Sequence, residues 1–210
     1  MPLVKKIKFN ELIKFSKDNS LLSIVERVKP NTSEIFFRQL MLLENLGIKE
    51  NINAKSCFEN IKDILDQYVS KNIRNNNFYN FWIKDMANII QTFSYIIGEL
   101  NISLSLETSR SCRRYHIDNV PIRLLVTYYG KGTEWLPSDA CDYSAYYEGK
   151  KNEEIIKNTN QKKFLNSWDI AVFKGQKFKG IKKGILHRTP DAALNKKSLL
   201  MRLDYPSEIY

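Results

Sequence analysis

A chain of 210 residues, 43% hydrophobic and 12% aromatic, carries enough apolar surface for one substantial core and is not a disordered segment. Its formal charge of +10 leaves open an anionic small molecule, a nucleic acid, or simply water around a lysine-rich surface. Three scattered cysteines without a C-x-x-C exclude a disulfide framework, and no apolar run has the length of a signal peptide or a membrane span, so a cytoplasmic protein without a membrane partner is expected.

Residues 1–100 read as helical. Asn10 to Asp18 and Leu21 to Val28 are short amphipathic candidates. Pro30 marks a boundary. Thr32 or Ser33 can cap a helix through Phe36, Leu40 and Leu43 that stops near Gly47. Phe58, Ile61, Leu65 and Tyr68 recur at steps of three and four, the spacing of one buried helical face. The run Asn75-Asn76-Asn77 breaks that pattern. A further helix then carries Phe78, Trp82, Met86, Ile89, Phe93 and Ile97 on one stripe, and Gly98 can end it. A stripe of this kind belongs to a core.

Beyond Gly98 the period changes to two. Ile102 to Leu106 alternates as a half-buried strand does, and Ile122 to Tyr129 is a strong strand. Thr133 to Leu136, Asp169 to Phe173, Ile185 to Arg188 and Ser198 to Asp204 are shorter ones. Residues 138–166 are polar and irregular, with room for a short helix around Glu153 to Asn158. The basic run Lys174, Lys177, Lys179, Lys182 and Lys183 reads as a solvated turn, with a phosphate-tracking edge as its alternative. Helices followed by strands indicate an α+β fold, with a helical region at 1–100 and a β region at 101–210 in one compact unit.

Only two histidines are present. His116 and Asp118 form an H-x-D unit, and His187 lies on a separate strand-like segment about seventy residues downstream. In an extended chain, residues two apart point to one face, so H-x-D aims an imidazole and a carboxylate at the same point. A second imidazole completes two histidines and one carboxylate on one face of a metal. This ligand set suits non-haem Fe(II) and leaves coordination positions open. A closed zinc site that adds Cys112 is an alternative, although the four-residue step from Cys112 to His116 suits a straight strand poorly. Cys112 otherwise reads as a buried small hydrophobe.

Cys112 to Asp118, Ile122 to Tyr128, Gly130 to Pro137, Val172 to Gly175 and Leu186 to Pro190 together resemble an uncharacterised bacterial family known by a domain-of-unknown-function label, number 1826. More distantly, the order of H-x-D, strand, Asp169-to-Phe173 strand and His187 is similar to the Fe(II)/2-oxoglutarate-dependent oxygenases. That resemblance implies N-terminal helices packed on a double-stranded β-helix, a jelly-roll of the cupin kind. It implies Fe(II) on His116, Asp118 and His187, with 2-oxoglutarate as a small-molecule cosubstrate and hydroxylation of a further substrate. It also implies a cation that grips the distal carboxylate of 2-oxoglutarate. Lys197, ten residues after His187, ranks first for this role, followed by Arg202 and Lys131. A non-catalytic cupin-like protein holding zinc or iron, and a basic nucleic-acid-binding module, are the competing expectations.

Overall fold

The structure, a computed structural model, describes residues 3–181 and 183–206. Strand β1 (Val4–Lys6) leads into a 3-10 helix at Phe9–Lys17, then β2 (Leu22–Val25), α1 (Ser33–Leu43) and β3 (Gly47–Asn53). Helices α2 (Cys57–Tyr68), α3 (Lys71–Arg74) and α4 (Asn77–Ile97) follow. Next come β4 (Asn101–Glu107), β5 (Ile122–Tyr129), β6 (Glu134–Trp135), α5 (Tyr143–Tyr147), α6 (Asn152–Ile155) and β7 (Lys163–Phe164). The chain ends with β8 (Ile170–Lys174), β9 (His187–Arg188) and β10 (Leu199–Asp204).

Seven strands form one sheet in the order β1-β2-β8-β5-β10-β4-β3, and three form a second in the order β7-β6-β9. Every pairing except β1 with β2 is antiparallel. The architecture is therefore mixed α and β around a large antiparallel sheet, not strands alternating with crossover helices.

Strand alternation sorts the side chains onto two faces. Leu104, Leu124, Val126, Val172, Met201 and Leu203 point into a core shared with the helices. There Trp82 packs against Phe36, Phe37 and Tyr128, with ring centroids 5.5–6.2 Å apart. The opposite face presents Leu125, Ala171 and Phe173 to Trp135, Leu165 and Ile185 of the smaller sheet and its flanks. Both faces of the large sheet are thus covered, one by helices and one by strands.

Helix α4 follows the apolar stripe in the sequence. Asn76 caps it through a bond from Phe78 N–H to its side-chain oxygen (2.9 Å), and Gly98 ends it at φ +75°. A Cβ at Gly98 would meet nothing within 4 Å, so alanine there suffers only backbone strain. Gly98→Ala is expected to cost about 1 kcal/mol, read as a fall in melting temperature of roughly 2–4 °C.

The first hundred residues are not purely helical, which corrects the expectation from sequence. Strands β1, β2 and β3 belong to the large sheet, β3 at one edge and β1 with β2 at the other. Leu21 to Val28 contains β2, not a helix. β2 is buried at every position, with Leu22 and Ile24 in one core and Val25 in the other, so its sequence shows no alternation to read. In the basic turn after β8, Lys177, Lys179 and Lys183 are exposed as expected, and of the described lysines only Lys174 departs from that reading. Lys174 is 4% exposed, donates to the Asp18 carbonyl and lies over Phe178, 4.3 Å from the ring centroid. Lys182 lies outside the described residues. Among the described residues no helix is long and apolar enough to cross a membrane.

Candidate metal centre

His116 and His187 meet across an isolated antiparallel bridge beside the small sheet. Each exchanges its backbone hydrogen bonds with the other, His116 N–H to His187 O at 3.1 Å and His187 N–H to His116 O at 3.0 Å. This pairing places the imidazoles side by side, with centroids 4.5 Å apart. The H-x-D segment needs no long strand. One bridged residue fixes His116, and the chain then turns inward at Asp118.

That turn depends on Gly175. Its N–H donates to the Pro121 carbonyl, and Gln176 N–H donates to the carbonyl of Asp118 (2.8 Å), so two chain segments run in contact. A Cβ on Gly175 would lie 2.2 Å from Val120 O and 2.5 Å from Asp118 O. The end of β8 thus serves as the seat of the loop that carries the carboxylate.

Donor atoms of His116, Asp118 and His187 all lie within 4.8 Å of one another. His187 Nε2 is 3.2 Å from Asp118 Oδ2, and His116 Nε2 is 3.6 Å from Oδ1. The other ring nitrogens face backbone carbonyls: His116 Nδ1 is 3.0 Å from Arg114 O, and His187 Nδ1 is 3.1 Å from Ile185 O. Those contacts suit a proton on each Nδ1 and turn each Nε2 toward the carboxylate, as the nitrogen that would ligate a metal in place of a proton. Asp118 is 3% exposed, and its Oδ2 is buried without a hydrogen-bond partner. A buried carboxylate oxygen left so is costly, and a divalent cation among the three side chains removes that cost. The residues fit a metal.

The electrostatics agree. Burial by itself would raise the Asp118 pKa, but His187, His116 and Arg123 outweigh it and hold the carboxyl well below its usual range. Burial would likewise lower His116, yet its contacts with Asp118 and Cys112 hold it up to about 10. In the metal-free protein a proton on His116 serves as counter-charge to Asp118. The Cys112 thiol is exposed, not buried as expected, and lies 3.3 Å from His116 Nδ1 and 3.7 Å from Nε2. A loop at residues 108–114 holds it there in place of a packed strand.

The triad opens onto a cavity of about 420 Å³ whose walls include Arg110, Arg123, Arg188 and Arg202. Arg123 pairs with Asp118 and, through Nε and Nη2 at 2.8 Å each, with Asp204. Arg188 pairs with Glu134 and Asp191. Arg202 lies 3.6 Å from Glu107 and 3.4 Å from Asp204.

Of the three cations that the sequence offered as anchors, only Arg202 lines this cavity. Lys197 Nζ donates to the carbonyls of Met41 (2.6 Å) and Glu44 (3.3 Å) at the end of α1. The side chain of Lys131 is exposed, and its carbonyl accepts from Arg110. The chain turns between β9 and β10 through Asp191–Ala193, so a residue count from His187 does not fix which way Lys197 points. Arg123 was legible in principle, as a charge at an alternate position of the strong Ile122–Tyr129 strand. Arg110 had no signal, because it sits in the irregular stretch after β4.

The sequence profile of the family described as protein of unknown function DUF1826 matches residues 8–204. The chain belongs to this family. No curated protein matches the sequence of this DUF1826 chain. Among solved structures it is similar to HygX from Streptomyces hygroscopicus with iron bound, at 10% identity and a TM-score of 0.43, over 98% of this chain and 88% of that one. HygX with nickel and 2-oxoglutarate bound gives 9% identity and 0.41, over 98% and 89%. An N-substituted L-amino acid dioxygenase from Burkholderia ambifaria AMMD gives 11% and 0.38, over 92% and 85%.

Proposed function

We propose that this DUF1826 protein is a Fe(II)- and 2-oxoglutarate-dependent oxygenase built on a double-stranded β-helix, and that His116, Asp118 and His187 hold the iron. One observation carries the reading. The Nε2 atoms of two imidazoles and a buried carboxylate oxygen without a hydrogen bond converge at the wall of a cavity otherwise rich in arginine. Three protein ligands on one side of a metal leave positions for a cosubstrate and dioxygen. When bound there, iron supplies the oxidising chemistry that converts a C–H group, O₂ and 2-oxoglutarate into the alcohol, succinate and CO₂.

The chain's own residues do the rest. The pairing of Arg123 with Asp118 Oδ1 orients the carboxylate and leaves Oδ2 for the metal. The Phe173 ring, 4.7 Å from that of His187, fixes the imidazole from the barrel side. Leu125 and Leu200 line the cavity and exclude water from part of it. The site rides on the region that follows residue 100, while β2 of the first hundred residues adds Leu22 and Ile24 to the core between the sheets.

The test is direct. The Fe(II)-loaded protein under oxygen is expected to bind 2-oxoglutarate and to form succinate even without a second substrate. If it holds the metal but neither binds 2-oxoglutarate nor forms succinate, the non-catalytic metal-binding reading takes its place.

A further inference from the structure

The backbone holds His116 to His187 by little. Their pairing is an isolated bridge of two hydrogen bonds, with one more from Thr189 N–H to Cys112 O at 2.9 Å. The side chains behind the bridge make a further tie. Tyr115 precedes His116 and Arg188 follows His187, so the antiparallel pairing makes them neighbours on the face opposite to the imidazoles. The Arg188 guanidinium lies 5.1 Å from the centroid of the Tyr115 ring. Glu134, paired in register with Arg188, continues the row on β6. Its carboxylate accepts from the hydroxyl of Tyr115 and from Arg188 Nε and Nη2, the last two at 3.2 Å each, and Lys162 Nζ stands 4.0 Å away. Tyr115, Glu134 and Arg188 are 0%, 3% and 6% exposed. Tyr143 of α5 and Ile155 of α6 pack with Tyr115 over this face, so water competes little for the bonds.

We propose that Glu134 is a positioning residue for the metal centre: from behind the small sheet, its carboxylate joins the residue beside each imidazole and so fixes the spacing of His116 Nε2 and His187 Nε2. The proposal rests on the reading of His116, Asp118 and His187 as metal ligands. Glu134 is not part of the cavity wall, so it acts through its two partners. A bridge of one residue pair can pivot about its own hydrogen bonds, and an anchor in the next row removes that freedom. A carboxylate buried among apolar groups would be costly, and here three donors offset the cost. Asp191 pairs with Arg188 too, but it lies three residues along the same segment and its side chain is 74% exposed. A pair within one segment ties nothing across the bridge.

Titration of the metal-free protein with Co(II) tests this, read by affinity and by the visible spectrum, which reports the geometry of the ligands. Each titration is run at a temperature where circular dichroism shows the variant folded. Glu134→Gln keeps the shape and loses the charge, and is expected to weaken Co(II) binding by about 10- to 100-fold and to change the spectrum. Tyr115→Phe removes one hydrogen bond and no charge, and should weaken binding by about three- to tenfold. Asp191→Asn should stay within about twofold of wild type, because its pair with Arg188 is exposed and lies within one segment. Where Glu134→Gln does not fold, Tyr115→Phe against Asp191→Asn decides. Wild-type affinity and spectrum in Glu134→Gln and Tyr115→Phe overturn the proposal, even if both melt lower, because Glu134 then only supports the fold. An equal loss in Asp191→Asn also overturns it, since any missing charge at Arg188 would then suffice. In both cases the metal-site reading stands. If the wild type binds no Co(II), or binds it equally after His187→Ala, that reading falls and this proposal with it.

Discussion

Replacing His187 by alanine is expected to lower divalent-metal affinity by more than about 100-fold, and His116→Ala and Asp118→Ala should do the same. Loss of a neighbour that merely orients a ligand already costs about 10- to 100-fold, and these substitutions remove the donor atom itself. Each of the three residues contributes one donor to a group spanning 4.8 Å, so no pair can hold the ion as the three do. Metal content after loading with Fe(II) or Mn(II) and desalting reads the effect, with a melting curve to show that each variant is folded. Equal metal in wild type and variants would refute the site. Binding should also respond to pH. The metal-free protein holds a proton on His116 up to about pH 10, and the metal must displace it. Affinity should therefore rise with pH and fall toward acid, with protons released on binding.

Gly175→Ala should be strongly damaging, both to stability and to the site. The new methyl group would fall 2.2 Å and 2.5 Å from two backbone oxygens, Val120 O and Asp118 O. Backbone cannot rotate away as a flexible side chain does, so β8 or the Asp118 loop must shift. Overpacking of this kind costs about 3 kcal/mol, or roughly 6–12 °C in melting temperature for a chain of this size. The shift also displaces Asp118 from the two imidazoles, so metal affinity should fall although no ligand is altered. The comparison with Gly98→Ala separates the two uses of glycine, backbone freedom at the helix end and contact space at the site. A Gly175→Ala protein that melts and binds metal like wild type would show that the loop is not seated on this glycine.

Helix α4 and strands β4 and β10 were legible in the sequence because each shows the period of its buried face, and β5 because it is a long apolar run. Their edges fell within a residue or two of the expected ones. The triad was legible for a different reason. With two histidines in the whole chain, an H-x-D unit and a later strand histidine leave few ways to assemble a metal site. The N-terminal strands were not legible. β2 is buried on both faces, and its segment, Leu21 to Val28, reads as a short amphipathic helix, while β3 buries Ile48 and Ile52, four apart, as a helix would. Only pairing with β8 and β4 makes them strands.

The sequence alone determined which side chains can ligate a metal and which segments have a face to bury, because both follow from local residue type and spacing. Tertiary structure decided the partners of the charges. Lys197 turned to the carbonyls at the end of α1, Lys174 was buried against Asp18, and three cavity arginines found carboxylates on other strands. Arg110 found none. Whether a cation is neutralised depends on groups brought close from distant parts of the chain, and no local pattern encodes that sum.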